Sequence, residues 1–147
     1  MPIYKRGSVR IQYEEAGSGF PLLIIPGGGL NATISYLSER TPFNPMVVLS
    51  DEYRCVTMEM CSAFLKKMYH ENNDFVFSVT RDFVRACTTP VLVMPDDTEP
   101  HPYAVAEETA MLAPNAQMTF FPWKEAKDRV PPAVRHLRTF LKANRPT

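Results

Sequence analysis

Residues 8–15, SVRIQYEE, alternate between apolar and polar positions: Val9, Ile11 and Tyr13 fall on one side, Arg10, Gln12 and Glu14 on the other. A period of two predicts a half-buried strand, here read as edge-like. After the turn residues 16–19 (AGSG), Leu22 to Ile25 form an unbroken apolar run. That pattern predicts a central strand covered on both faces. Gly27, Gly28 and Gly29 close this strand with a side-chain-free loop. Residues 31–51 lack a clear period, and Pro42 and Pro45 break them; we expect irregular chain with a short helical turn at 45–50. YRCVTM (53–58) predicts a third strand. Met60, Phe64, Leu65 and Met68 then recur at helical spacing with Lys66 and Lys67 outside. A second helix is expected over 74–86, capped by Asp74, with Phe75, Val79 and Phe83 as its inner stripe.

The last third alternates strand and helix. TPVLVM (89–94) predicts a short buried strand with Pro90 at its start. The loop 95–102 (PDDTEPHP) leads to a helix over 103–112, and 117–121 (QMTFF) read as another strand. Pro131 and Pro132 suit the first turn of a final helix, where a missing N–H costs nothing; Val134, Leu137, Phe140 and Leu141 form its inner face. A strand–helix–strand–helix order implies parallel pairing through a right-handed crossover. The expected class is α/β.

Composition narrows the function classes. The 147 residues suit a single domain, and 45% apolar with 22% charged residues is ordinary for a globular chain. Sixteen basic and 16 acidic residues balance to zero, which argues against a nucleic-acid partner. The chain begins without the apolar core of a signal peptide, and no apolar run approaches membrane-spanning length. Three cysteines (Cys55, Cys61, Cys87) without a C-x-x-C pair read as thiols in a reducing, cytoplasmic setting. The three histidines (His70, His101, His136) are too far apart for a local metal site, so no metal and no cofactor is expected. All six glycines lie within the first 29 residues, so no P-loop, EF-hand loop or G-x-S-x-G elbow follows them. Gly17-Ser18-Gly19 lacks the third glycine of a dinucleotide fingerprint.

The segments LLIIPGGG (22–29), YRCVTM (53–58), VLVMPDDTEPHP (91–102) and FFPW (120–123) together resemble the α/β-hydrolase family. The resemblance implies a shortened, mostly parallel α/β-hydrolase-like sheet with flanking helices. Residues 1–58 would correspond to the N-terminal strands and oxyanion loop, 59–88 to lid-like helices and 89–147 to the C-terminal βαβα part. It further implies ester, lactone or related acyl hydrolysis, with Gly27, Gly28 and Gly29 at the oxyanion loop and the catalytic acid just past the penultimate strand, at Asp96 or Asp97. The nucleophile elbow expected after the fourth strand is missing, as if the middle of a hydrolase had been removed.

Each candidate residue has a competing structural role. Ser62 is flanked two residues away by Met60 and Phe64, too large for a tight elbow, and otherwise sits on an amphipathic helix. Cys61 has no identifiable base nearby. Asp97 either orients a histidine or caps the turn before Pro100; His101, in the same loop, is within reach of it and is the candidate acid–base group. The family's histidine follows the last strand, where this chain reads Pro122-Trp123-Lys124. His136 falls within the final helix, and Trp123 reads as an anchor for that helix. The glycine loop either binds a carbonyl or carboxylate oxygen or simply turns the chain. We therefore expect a hydrolase relative without a complete Ser-His-Asp triad, with a small acyl or carboxylate ligand. The alternative is a non-catalytic binding or self-associating protein, since apolar faces without their original cover favour a homo-oligomer.

Overall fold

The two-residue turn Gly7-Ser8 sets the first topology of the chain. Gly7 has φ 59°, a backbone region that costs glycine little, and it folds β1 (Ile3–Arg6) back on β2 (Val9–Ala16) as an antiparallel hairpin with Arg6 opposite Val9. These observations come from a computed structural model, which describes residues 1–27, 32–60 and 79–146. The chain divides into two compact units, Met1–Tyr69 and His70–Thr147.

In the first unit a second tight reversal, at Gly17 and Gly19, sends β3 (Phe20–Ile24) in the direction opposite to β2. Two short helices, α1 (Ile34–Glu39) and α2 (Pro45–Val48), then carry the chain to β4 (Tyr53–Met58). β4 inserts between the two earlier strands, parallel to β3 (Leu22 opposite Cys55) and antiparallel to β2 (Tyr13 opposite Met58). The sheet order is β1-β2-β4-β3. Burial alternates along β4: Tyr53, Cys55 and Thr57 are buried, while Val56 and Met58 on the other face are only half-buried. α2 packs on β4 and β2, and Ile34 and Leu37 of α1 are buried. Thr33 caps α1 by accepting from the Tyr36 N–H at 3.1 Å, and Asn44 caps α2 through the Met46 N–H at 2.9 Å.

The second unit contains α3 (Arg81–Ala86), β5 (Val91–Val93), α4 (Tyr103–Leu112), β6 (Ala116–Met118) and α5 (Val130–Ala143), the last entered through a 3₁₀ turn at Lys127–Arg129. β5 and β6 are parallel, joined by α4 as the strand–helix–strand pattern requires. α4 occupies the expected span, and α5 carries its prolines in the first turn. Ala133 on α5 is fully buried, and Val134, Leu137, Phe140 and Leu141 are half-buried.

Several expectations are corrected. The shortened, mostly parallel α/β-hydrolase-like sheet is not what forms: the four-stranded sheet is mixed and mostly antiparallel, and β5–β6 is a separate two-stranded parallel sheet. The cause is the pair of tight reversals flanking β2: the first lays β1 antiparallel against it, and the second turns β3 the opposite way, so that β4, inserting parallel to β3, meets β2 antiparallel. The roles of edge and centre are also exchanged. β2 lies between β1 and β4, whereas among the described residues β3 is outermost, and Leu23 (56%) and Ile25 (57%) are exposed. The helix expected over 74–86 begins at Arg81, because the Thr80 hydroxyl accepts from the Phe83 N–H and stops the helix there. Val84 is its buried residue and Phe83 is exposed. Residues 61–78, including Cys61, Ser62 and the first part of that span, lie outside the described residues.

Candidate functional site

Polar side chains converge at the carboxyl ends of β5 and β6. Parallel strands direct both following loops to the same end, which is where open α/β sheets bind ligands. Residues 95–102 follow β5. Within them Thr98 and His101 exchange backbone hydrogen bonds (3.2 and 2.9 Å), closing a four-residue turn over Glu99 and Pro100. This turn brings His101 Nδ1 to 3.3 Å from the Thr98 hydroxyl, with which it shares a hydrogen bond, and to 4.0 Å from Asp96 Oδ2. The loop after β6 supplies Lys124, whose Nζ donates to the same Asp96 Oδ2.

Asp96 is the centre of this cluster. Its side chain is 10% exposed, against 67% for His101. Burial pushes its carboxyl pKa up, but the Lys124 hydrogen bond, a backbone hydrogen bond from Asp97 and the charges of Lys124 and His101 outweigh that effect, holding it below the usual carboxylate range. Its second oxygen, Oδ1, is buried without a hydrogen-bond partner among the described residues.

The contact expected between His101 and Asp97 is therefore made with Asp96 and Thr98 instead, and Asp97 is exposed. Both aspartates lie in the loop past the end of β5, and of the two it is the Asp96 side chain that meets Lys124 of the β6 loop. The arrangement is also chemically different from a triad. There the carboxylate and the nucleophile hydroxyl meet opposite nitrogens of the imidazole, so that one orients it while the other gives up a proton. Here Asp96 and the Thr98 hydroxyl both approach Nδ1. Lys124, which sequence reasoning marked only as the place where a histidine was lacking, is the residue that occupies the acid.

The remaining candidates are dispersed. Gly27 follows β3 in the first unit, is exposed, and would meet nothing within 4 Å if it carried a Cβ. Gly28 and Gly29 lie outside the described residues. His136 on α5 lies 3.1 Å from the Gln117 amide oxygen of β6 and ties helix to strand. Cys55 is fully buried, and burial, helped by the negative charge of Asp51, pushes its thiol pKa up; an inert core thiol results. Beside the polar cluster, the Tyr103 and Phe121 rings stand 4.4 Å apart, and Arg129 donates to the Phe121 carbonyl at 2.7 Å. Among the described residues no group of three or more His, Cys, Asp or Glu side chains gathers as a metal site would, and no helix is long and apolar enough to cross a membrane. No protein-family model, curated protein or solved structure matches the chain.

Proposed function

We propose that this chain is a non-catalytic relative of ester- and lactone-cleaving α/β-hydrolases that acts by binding and self-association. The observation that carries this reading is the Lys124 ammonium on Asp96. In a working acyl hydrolase the carboxylate after the penultimate strand holds a histidine in the tautomer that accepts the serine proton, and stabilises the imidazolium that forms. Here that carboxylate is instead engaged by the Lys124 side chain, which occupies the place the histidine would take. His101 does not substitute, because at 4.0 Å it makes no hydrogen bond to the acid and its Nδ1 is shared with Thr98. The reading rests on the four resembling segments and on this chemistry, not on a mostly parallel sheet.

The ligand class consistent with this reading is a small carboxylate or acyl compound, bound without turnover. The unpaired thiols Cys55 and Cys87 are consistent with a reducing, cytoplasmic setting. The test is incubation of the purified chain with an activated aryl ester and with a serine-directed phosphonate. We expect no ester cleavage above that of buffer and no mass increase. A stoichiometric adduct on Ser62, or on any other hydroxyl or thiol, would overturn the reading.

A further inference from the structure

On the buried face of the first unit's sheet, next to α1 and α2, lies a pocket of about 280 Å³. That is room for roughly nine waters at about 30 Å³ each, and less than a drug-sized ligand needs. Glu14 of β2 and Glu59, just past β4, line it together with Ser35, Ser38 and Leu37 of α1 and Met46 of α2. The strand register brings the two acids together: Glu14 lies opposite Thr57, and Glu59 follows Thr57 by two residues on the same face. Both glutamates are half-buried, and one oxygen of Glu59 accepts from the Ile34 N–H at 3.2 Å. Among the described residues no lysine, arginine or histidine lines the pocket, and neither carboxylate has an ion-pair partner. Two like charges in one small, partly desolvated space favour a cation between them.

A second observation is independent of the acids. Thr57 is fully buried, and its hydroxyl has no hydrogen-bond partner among the described residues. Its side chain leaves the sheet on the face that carries Glu14 and Glu59, yet neither carboxylate accepts from it. A buried hydroxyl left unpaired typically costs about 1–3 kcal/mol, and a donor seated between the two glutamates is the group it lacks. The lining also selects the kind of cation. A bare metal ion is the poorer match, because direct oxygen ligands lie about 2.0–2.6 Å from it and it would fill little of this volume. Leu37 and Met46 line the remainder, and they suit a short hydrocarbon body. An ammonium head on an aliphatic chain answers both halves of the pocket, donating N–H bonds to the carboxylates and the hydroxyl while the chain lies against the apolar side chains.

We propose that the pocket bounded by Glu14, Glu59 and Thr57 binds a small aliphatic ammonium compound. The site does not depend on the hydrolase reading, and the ester and phosphonate assays do not bear on it, so either can fail alone. The test is titration of the full, ¹⁵N-labelled chain with n-butylammonium chloride, with 1-butanol as its uncharged counterpart. Wild type should show saturable amide shifts at Ser35, Ser38 and Glu59 with a Kd of about 1 mM or tighter, within reach of so small a ligand. The shifts should weaken as sodium chloride is raised, and 1-butanol should give no saturable shift. Glu14→Gln and Glu59→Gln remove a charge while keeping shape and an acceptor oxygen, and each should raise Kd at least about tenfold. Thr57→Val should raise it about fivefold, as loss of one hydrogen bond does, without lowering the stability of the free chain. Glu15→Gln, adjacent in sequence but on the other face of β2, should leave Kd unchanged. Circular dichroism checks that every variant folds. The absence of saturable shifts in wild type, equal binding of 1-butanol, or a Kd indifferent to any of the first three substitutions overturns the proposal. So does displacement of the ammonium by calcium or magnesium chloride at about equal concentration, which would give the pocket to a metal ion.

Discussion

Lys124 and Asp96 stand 28 positions apart in the chain and meet because β5 and β6 run parallel, so that the loops leaving them emerge side by side. The carboxylate is nine-tenths buried, while about a third of the lysine side chain remains in solvent. A buried anion with a half-wet cation is an asymmetric pair: the acid depends on the lysine more than the lysine depends on the acid.

That asymmetry sets the first expected outcome. Removing one partner of a fully buried pair typically costs about 3–5 kcal/mol, and partial solvation of Lys124 reduces the figure, so Lys124→Met should cost about 2 kcal/mol. Adding Asp96→Asn to that variant removes the stranded charge and should recover most of the loss. Urea denaturation of the four chains in a double-mutant cycle measures the coupling, and additivity would refute the pair's role.

The same carboxylate should shape the acid limb of stability. Its folded-state pKa is lowered relative to an unfolded value of about 3.9. Its stabilising contribution is therefore fully present above that unfolded value and is lost as pH falls through the lower folded one. The stability gap between wild type and Asp96→Asn should shrink as the solution is acidified through that window. In the Lys124→Met background the sign reverses: burial becomes the dominant influence, the Asp96 pKa rises, and mild acid relieves the strain instead of adding to it. A gap that stays constant down to pH values near 2 would contradict this.

Gly17 and Gly7 should respond differently to alanine although both have positive φ. At Gly17 (φ 78°) a Cβ would be driven into the backbone carbonyls of Ser50 and Tyr53, which cannot withdraw without disturbing the entry to β4. Gly17→Ala should cost more than about 3 kcal/mol or abolish folding, since the clash adds to the left-handed penalty of about 1–2 kcal/mol. Gly7 (φ 59°) faces open space, and Gly7→Ala should show that penalty alone. Thermal melts of the two variants provide the comparison.

Glu59 accepts from the Ile34 N–H at 3.2 Å and so holds the first turn of α1 from outside the helix. Glu59→Ala should cost about 1 kcal/mol, as loss of a helix-capping acceptor does, and should speed amide exchange through 34–39. Glu59→Gln keeps an acceptor oxygen and should behave nearly as wild type. Equal effects of the two would remove the cap from the account.

α1 was not legible from local pattern, and Glu59 shows why. Six residues containing a β-branched isoleucine and two serines are poor helix formers on their own, and part of what stabilises them arrives from a residue 25 positions downstream. The Gly7-Ser8 turn, by contrast, was available as a hairpin signal between 3–6 and 9–16, but β1 is exposed throughout and shows no amphipathic alternation to accompany it. At the polar cluster, the loop and its two aspartates were readable, but not which aspartate turns inward or which side chain comes to meet it.

Periodicity and turn chemistry were sufficient for β2, β4, α4, α5 and the parallel order of β5–α4–β6, because each is dictated by neighbours a few residues away. β5 is nevertheless confined to Val91–Val93 within the expected 89–94, and β6 runs over Ala116–Met118 instead of 117–121. Strand order in the mixed sheet, the exposure of Leu23 and the identity of the residue that claims Asp96 depend on segments distant in the chain. Such contacts are won only by chain reversals and by burial of one group against another. An apolar run does not say whether anything will cover it, and a carboxylate does not say whether a histidine or a lysine will reach it first.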